Sequence, residues 1–337
     1  MRGHTDDVNG IVHLPDGRSI ITCSHDSSLR RWDLESGVQI GDDWRDGRDE
    51  ARVWCIALSP NGKTVASGSS DGTVRLWNVE TEKVIAKWAG HTGIVRSLCW
   101  SAGGERLVSG SEDGTARVWD VGSGKTPRQT MLGHTDYVTG VAHLPDGRSI
   151  ITCSGDGSLR RWDLESGAQI CDDWQDEGDK AGVWCIALSP NGKIVASGSR
   201  DGTVRLWNVE TEKVIAKWAG HTGRVKSLHW SADGERVVSG SHDGMARVWN
   251  VESGKTVLGP IKAHERVFAV AYSPDMKKIA TGGQIEDAVK IWDATTGELL
   301  SMLKHENQII SLAWTSDQNK LISAAASCIS IFDTATW

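Results

Sequence analysis

The tripeptide Arg31-Trp32-Asp33 returns with small changes at Leu76-Trp77-Asn78, Val118-Trp119-Asp120, Arg161-Trp162-Asp163, Leu206-Trp207-Asn208, Val248-Trp249-Asn250, Ile291-Trp292-Asp293 and Ile331-Phe332-Asp333. A recurrence every roughly 40 to 45 residues marks stacked β units, each too small to bury its own apolar face. The repeats it sets are about 1–33, 34–78, 79–120, 121–163, 164–208, 209–250, 251–293 and 294–333. Length alone suggests two domains. The unbroken period argues instead for one array over 1–337.

Seventeen tryptophans against two tyrosines and two phenylalanines are what copying one Trp-bearing unit produces. A net charge of -7 and the lack of a long basic stripe make nucleic acid an unfavoured partner. The seven cysteines form no C-x-x-C pair and mostly sit in apolar runs, where a free thiol acts as a small hydrophobe. An intracellular, reducing compartment is therefore expected. Met1-Arg2-Gly3-His4 begins no signal peptide, and no segment approaches a membrane span. The expectation is a cytoplasmic protein, with the nucleus as the alternative and no membrane partner.

One unit shows how the others are built. Ile94 to Trp100 reads as a strand, Ser101-Ala102-Gly103-Gly104 as a turn, and Arg106 to Ser111 as a second strand. Asp113-Gly114 signals a tight hairpin, because glycine supplies the positive φ such turns need. Thr115 to Asp120 forms a third strand, and a fourth follows near Thr130-Met131-Leu132. The runs are too short and too rich in β-branched residues for helices. Each unit is expected to be a four-stranded antiparallel sheet.

Gly-His opens a unit, Asp-Gly joins its second and third strands, and Trp-Asp closes it. This set spans essentially the whole chain and resembles the WD40 repeat family, whose members fold as β-propellers. The resemblance implies an all-β, eight-bladed propeller of four-stranded antiparallel blades. The chain stops at Thr336-Trp337, just after the last Trp-Asp analogue, so no segment is expected to supply the last blade's fourth strand. That blade is expected to be incomplete, and the chain to be a piece of a longer protein. Its unit is degenerate too, with Phe332 for the tryptophan and Ala326 for the aspartate. In the seventh unit Gln284-Ile285-Glu286-Asp287 replaces the short turn, where a bulge is expected to re-aim side chains.

A search for hydrolase chemistry stops at His91, Ser109 and Asp113, which recur with Trp119. The same quartet is written as His4, Thr22, Asp26 and Trp32; as His134, Thr152, Asp156 and Trp162; and as His221, Ser239, Asp243 and Trp249. A catalytic site is needed once, and this one appears four times. The resemblance implies a structural hydrogen-bond network, and a buried polar chain that is fully satisfied fixes a unique packing. No enzyme is expected. The second and fifth units have no such histidine and are expected to carry a thinner network. No His/Cys cluster has converging metal-ligand spacing and no glycine loop has phosphate-cradling form, so no metal or cofactor is expected.

Residues 1–130 recur at 131–260 with few differences, and the differences cluster. Immediately before the turn aspartate, His25, Ser70 and Glu112 are matched by Gly155, Arg200 and His242. Just before the first-strand valine, Asp7, Arg52 and Ile94 are matched by Tyr137, Gly182 and Arg224; just after it, Asn9 and Arg96 are matched by Thr139 and Lys226. Turns at the other end, such as Leu-Pro-Asp-Gly and Ser-Pro-Asn-Gly, are unchanged. The resemblance places the varied positions around the top opening of a propeller, where family members hold peptides. The candidate partner-binding rim is Arg200, Arg224, Lys226, His242, Arg266, Tyr137, Arg52 and Arg96. Clustered arginines favour carboxylates or phosphates through charge-assisted bonds. The expected function is a non-catalytic protein- or peptide-binding scaffold for an acidic or phosphorylated peptide. The alternative is the ligand-sensing C-terminal repeat region of a fungal NOD-like, nucleotide-binding receptor, which such near-identical repeats also resemble.

Overall fold

The computed structural model describes residues 1–47, 50–122, 129–176, 180–284, 288–305, 307–315, 317 and 319–334. Their regular structure is β: 31 strands form eight antiparallel sheets in simple meander order. The fold is an eight-bladed propeller with blades at 8–44, 53–88, 95–131, 138–174, 183–218, 225–262, 266–304 and 309–333. Seven blades have four strands and the last has three. Among the described residues no helix is long and apolar enough to cross a membrane.

Sequence repeat and blade are offset by one strand. The Trp-Asp tripeptide ends the third strand, and the next segment returns to the same sheet, as Gln39–Trp44 does against Leu29–Asp33. A repeat drawn to end at Trp-Asp therefore begins with the outer strand of the blade before it.

The chain divides into two compact units, one of residues 4–180 with blades one to four and one of residues 1–3 and 181–337 with blades five to eight. Within each unit the first strands of consecutive blades lie against one another, so they form its inner edge. The core is a set of layers between blades. One layer joins Ile21, Leu29 and Trp44 of blade one to Val53, Val65 and Trp77 of blade two, and another joins Ala196, Val204 and Trp218 of blade five to Val225, Trp230 and Trp249 of blade six. Trp119, Trp77 and Trp249 are at most 2% exposed, and truncating a tryptophan so placed costs about 3–5 kcal/mol. Mid-strand glycines permit the close approach of these layers. A Cβ on Gly68 would lie 2.5 Å from Val95 of the next blade, and one on Gly198 would lie 2.6 Å from Val225.

The last blade meets the start of the chain. Met1 donates its terminal amine to Ile329 O at 2.7 Å, Ile329 N–H donates to Met1 O at 3.1 Å, and Arg2 bridges Cys328. The last blade is incomplete, as expected. Two residues pair there without forming a fourth strand. The expected irregularity at Ile285-Glu286-Asp287 lies outside the described residues.

Candidate functional site

A bulge recurs at the start of the first strand. The register slips between Val53 and Cys55, Val138 and Gly140, Val183 and Cys185, Val225 and Ser227, and Val267 and Ala269. The residue inside each slip is Trp54, Thr139, Trp184, Lys226 or Phe268; Arg96 holds the same place in blade three. A bulged residue leaves the pleat, and its side chain is re-aimed. A backbone bond completes the unit of construction. Arg200 N–H donates to Gly182 O at 2.8 Å, His242 N–H to Arg224 O at 2.9 Å, and Glu112 N–H to Ile94 O at 2.9 Å. Each hairpin residue is thereby held beside the residue that precedes the strand.

In residues 181–337 this construction gathers the five basic rim candidates. The Arg224 guanidinium carbon sits 3.9 Å from the centre of the Trp184 ring, and Lys226 Nζ is 5.5 Å from the same ring. His242 packs edge-on against Phe268 at 5.5 Å. Burial, then the charge of Arg200, lowers the Arg224 pKa. Burial, then the charges of Arg224, Lys226 and Arg266, lowers that of His242, so its ring is neutral near pH 7. Arg200, Lys226 and Arg266 are exposed. The result is a cationic surface with an indole floor on a molecule of net negative charge.

In residues 4–180 the equivalent positions are mixed in charge. The Arg96 guanidinium carbon lies 4.0 Å above the Trp54 ring, and Glu112 Oε1 accepts from Arg96 Nε at 2.7 Å and also from its Nη2. The His25 ring sits 4.2 Å from that of Trp54. Burial lowers the His25 pKa, with Asp7 and Asp6 opposing and Arg52 and Arg96 reinforcing the shift. Arg52 is exposed and its carbonyl accepts from Ser70 N–H at 2.8 Å. Tyr137 is 48% exposed and accepts through its carbonyl from Gly155 N–H at 3.0 Å, apart from the charged groups around Trp54. Asp6, Asp7 and His25 each bring one ligand-type atom within 4.8 Å of the others, a grouping that spacing along the chain does not reveal. Two of the three are already engaged with each other, since Asp6 Oδ1 accepts the Asp7 amide at 2.8 Å.

The four quartets share one geometry. Trp119 Nε1–H donates to Ser109 Oγ at 2.8 Å, Ser109 Oγ is 2.7 Å from His91 Nε2, and His91 Nδ1 is 2.9 Å from Asp113 Oδ2. An ionised Asp113 only accepts, so Nδ1 carries the proton and Nε2 accepts from the hydroxyl. The corresponding distances are 2.9, 2.8 and 2.8 Å for Trp32, Thr22, His4 and Asp26; 2.8, 2.7 and 2.9 Å for Trp162, Thr152, His134 and Asp156; and 2.8, 2.8 and 2.9 Å for Trp249, Ser239, His221 and Asp243. Burial works against the Asp243 charge, but hydrogen bonds from His221 and the Met245 and Thr222 amides outweigh it, and the carboxyl titrates at about 2. Asp26, Asp113 and Asp156 are held lower still by the same means. The four imidazole side chains are at most 1% exposed, which leaves no substrate access to Nε2.

Blades two and five differ from the thinner network expected of them. Arg75 Nη2 donates to Asp71 at 3.0 Å and Nη1 to Ser69 Oγ at 2.8 Å, while Nε reaches Asp46 at 3.1 Å. Arg205 repeats this toward Asp201 at 3.2 Å and Ser199 at 2.8 Å. Both arginines are 3% exposed. The guanidinium takes over the turn aspartate from the missing imidazole, while Ser67 Oγ and Ser197 Oγ still accept from Trp77 and Trp207 Nε1–H, each at 2.8 Å. Blade seven holds a further trio: His264 Nε2 is 3.1 Å from Thr281 Oγ1, which accepts from Trp292 Nε1–H at 2.9 Å.

The family model for the WD domain, G-beta repeat, matches residues 1–33, 46–78, 82–120, 125–163, 175–208, 212–250 and 255–293. The chain belongs to the WD40 family. The eighth blade of this WD40 chain lies outside the match, as its Phe332 and Ala326 lead one to expect. No curated protein matches the chain. Among solved structures, the crystal structure of the computationally designed Ika8 protein is similar over 98% of this chain and 97% of that one, with a TM-score of 0.84 and 24% identity. At that identity the likeness shows the fold alone.

Sequence comparison passed over Trp54, Trp184 and Phe268. The first two are identical between the copies, so looking at differences did not expose them. Phe268 lies beyond the duplicated region. A bulge, which would have marked all three, leaves no trace in the apolar pattern.

Proposed function

We propose that this WD40 chain is a non-catalytic protein-binding scaffold that takes an acidic or phosphorylated peptide on the rim formed by Arg200, Arg224, Lys226, His242 and Arg266. The observation that carries the reading is the cluster itself: the Arg224 guanidinium sits over the Trp184 ring, with three further cations and a neutral histidine close by. An arginine over an indole face makes a cation–π contact that uses none of its N–H donors, which stay available for a carboxylate or phosphate. The repeated quartets are internal supports, because the hydroxyl that faces each imidazole is itself fully buried and already accepts from a tryptophan indole, which leaves no path for a substrate to reach it. We place the protein in a reducing compartment, the cytoplasm first, on seven cysteines that form no disulfide.

Affinity capture from a native extract tests this, with the unchanged chain and an Arg200→Glu, Arg224→Glu, Lys226→Glu variant of equal melting temperature as baits. Acidic or phosphorylated partners are expected on the first bait and not on the second, with phosphatase treatment releasing the phosphorylated ones. Recovery of the same partners by both baits removes the rim from consideration.

A second reading, the sensing region of a fungal NOD-like receptor, is favoured by a copied scaffold with a varied rim. A nucleotide-binding domain upstream in the encoding gene decides for it.

A further inference from the structure

The duplication presents the same site twice, in two electrostatic states. Both copies keep a guanidinium stacked on the bulged tryptophan, at 4.0 Å for Arg96 on Trp54 and 3.9 Å for Arg224 on Trp184. The supporting position has moved, since Arg224 occupies the place of Ile94, while Lys226 takes that of Arg96 and stays within 5.5 Å of the ring. What differs is the counter-charge. In the first copy Glu112 clasps Arg96 through both Nε and Nη2. In the second copy that position is His242, and Arg200 replaces Ser70 on the adjacent hairpin. Among the described residues no carboxylate pairs with Arg200, Arg224 or Arg266.

Keeping a stacked cation while deleting its anion is unfavourable in isolation, because like charges then face one another across a partly desolvated surface. A scaffold that already has Glu at this position in one copy has an easy way to relieve that repulsion. The second copy lacks it and adds a further arginine. Such an arrangement suits an anion that arrives from outside.

We propose that Glu112 is a built-in occupant: its carboxylate fills in the first copy the anion position that the second copy leaves open beside His242, so the chain holds one self-occupied and one open form of the same site. The inference rests on the acidic-peptide reading above and deepens it by locating the ligand's charge, over Trp184 beside Arg224 and Lys226. It also names the class. In the first copy Glu112 holds Arg96, and Asp6 and Asp7 offset Arg52 around His25, whereas Arg200, Arg224 and Arg266 exceed one negative charge. A phosphomonoester, with close to two charges and three acceptor oxygens, matches them better. The ligand is a peptide bearing phosphoserine or phosphothreonine.

Isothermal titration with the capped pentapeptide Gly-Gly-phosphoserine-Gly-Gly, and with its glutamate and serine counterparts, tests this on three full-length chains. The first is the unchanged protein. The second is opened in the first copy by Ser70→Arg, Ile94→Arg and Glu112→His; the third is closed in the second copy by Arg224→Ile and His242→Glu. Each substitution installs a residue that the same scaffold already carries at the equivalent position, and equal melting temperatures confirm folding. The unchanged chain is expected to bind one phosphoserine peptide, at least tenfold more tightly than the glutamate peptide, and no serine peptide. The opened chain is expected to bind two, and the closed chain to lose at least tenfold in affinity. If the opened chain still binds one and the closed chain binds like the unchanged one, the Glu112 assignment is overturned while the anion-binding reading stands. Equal affinity for the glutamate peptide overturns the phosphomonoester class. If the unchanged chain binds neither acidic peptide, both readings fall together.

Discussion

Ser109 Oγ stands between the Trp119 indole N–H and the His91 imidazole, so removing it strands two buried polar atoms. Ser109→Ala is expected to destabilise the protein by about 1–3 kcal/mol for each stranded group, read as a lower urea midpoint. Ser109→Thr is expected to change far less, because Thr22 and Thr152 fill the same position in blades one and four. The aspartate at the other end of the quartet makes the network pH-sensitive. The Asp243 carboxyl titrates at about 2 against an ordinary 3.8, so folding favours its ionised form. Its contribution, on the order of 2 kcal/mol, is complete above the unfolded value and is lost as pH falls through the folded one. Asp243→Asn is therefore expected to flatten the fall in stability between about pH 4 and pH 2, measured by urea unfolding across that range. The quartets were legible residue by residue, because histidine, hydroxyl, aspartate and tryptophan recur at fixed spacing. Their direction was not, since which nitrogen holds the proton follows from distances.

At the scale of the blade, two devices hold the turn aspartate with different residues. Where histidine is missing, Arg75 or Arg205 turns back onto its own hairpin and holds the turn aspartate. Arg75→Met is expected to cost about 2–3 kcal/mol, because Asp71, Ser69 and Asp46 lose a charged donor together; a lower melting temperature checks it. The sequence shows a basic residue at this strand position in most blades, and nothing along the chain says which ones fold inward. The Asp-Gly hairpin is more constrained. Gly72 has φ +76°, and a Cβ there would stand 2.2 Å from the His91 carbonyl oxygen of the next blade. Gly72→Ala is expected to cost at least 1–3 kcal/mol, more than the conformational penalty of a left-handed residue alone, and calorimetry measures it. The first-strand bulge belongs to this scale as well. It slips one residue without disturbing the buried valine that precedes it, so period-two reading passes over it.

At the scale of the molecule, the net charge of -7 hides a local inversion. Five basic groups share one rim surface in residues 181–337, and the matched surface in residues 4–180 is balanced by Asp6, Asp7 and Glu112. Attraction to that basic surface acts through exposed groups and is screened by salt. Affinity for the phosphoserine pentapeptide is expected to fall severalfold when ionic strength rises from about 0.05 M to about 0.5 M, followed by titration at each salt concentration. The melting temperature, which rests on buried tryptophan layers, is expected to move little over the same range.

The amino-acid sequence by itself determined the blade. A Trp-Asp period, hairpin glycines and alternating apolar residues leave only stacked four-stranded sheets as a way to bury so many tryptophans. It also determined where the copies differ, because near-identity makes each change visible. Only the tertiary structure decided what those changes do together. A bulge re-aims Trp54 and Trp184, a backbone bond holds each hairpin residue beside the residue before the strand, and side chains far apart in the chain, such as Arg224 and His242, become neighbours. The physical reason is that pattern along a chain encodes burial, which is periodic, whereas a binding surface is made where the period is broken.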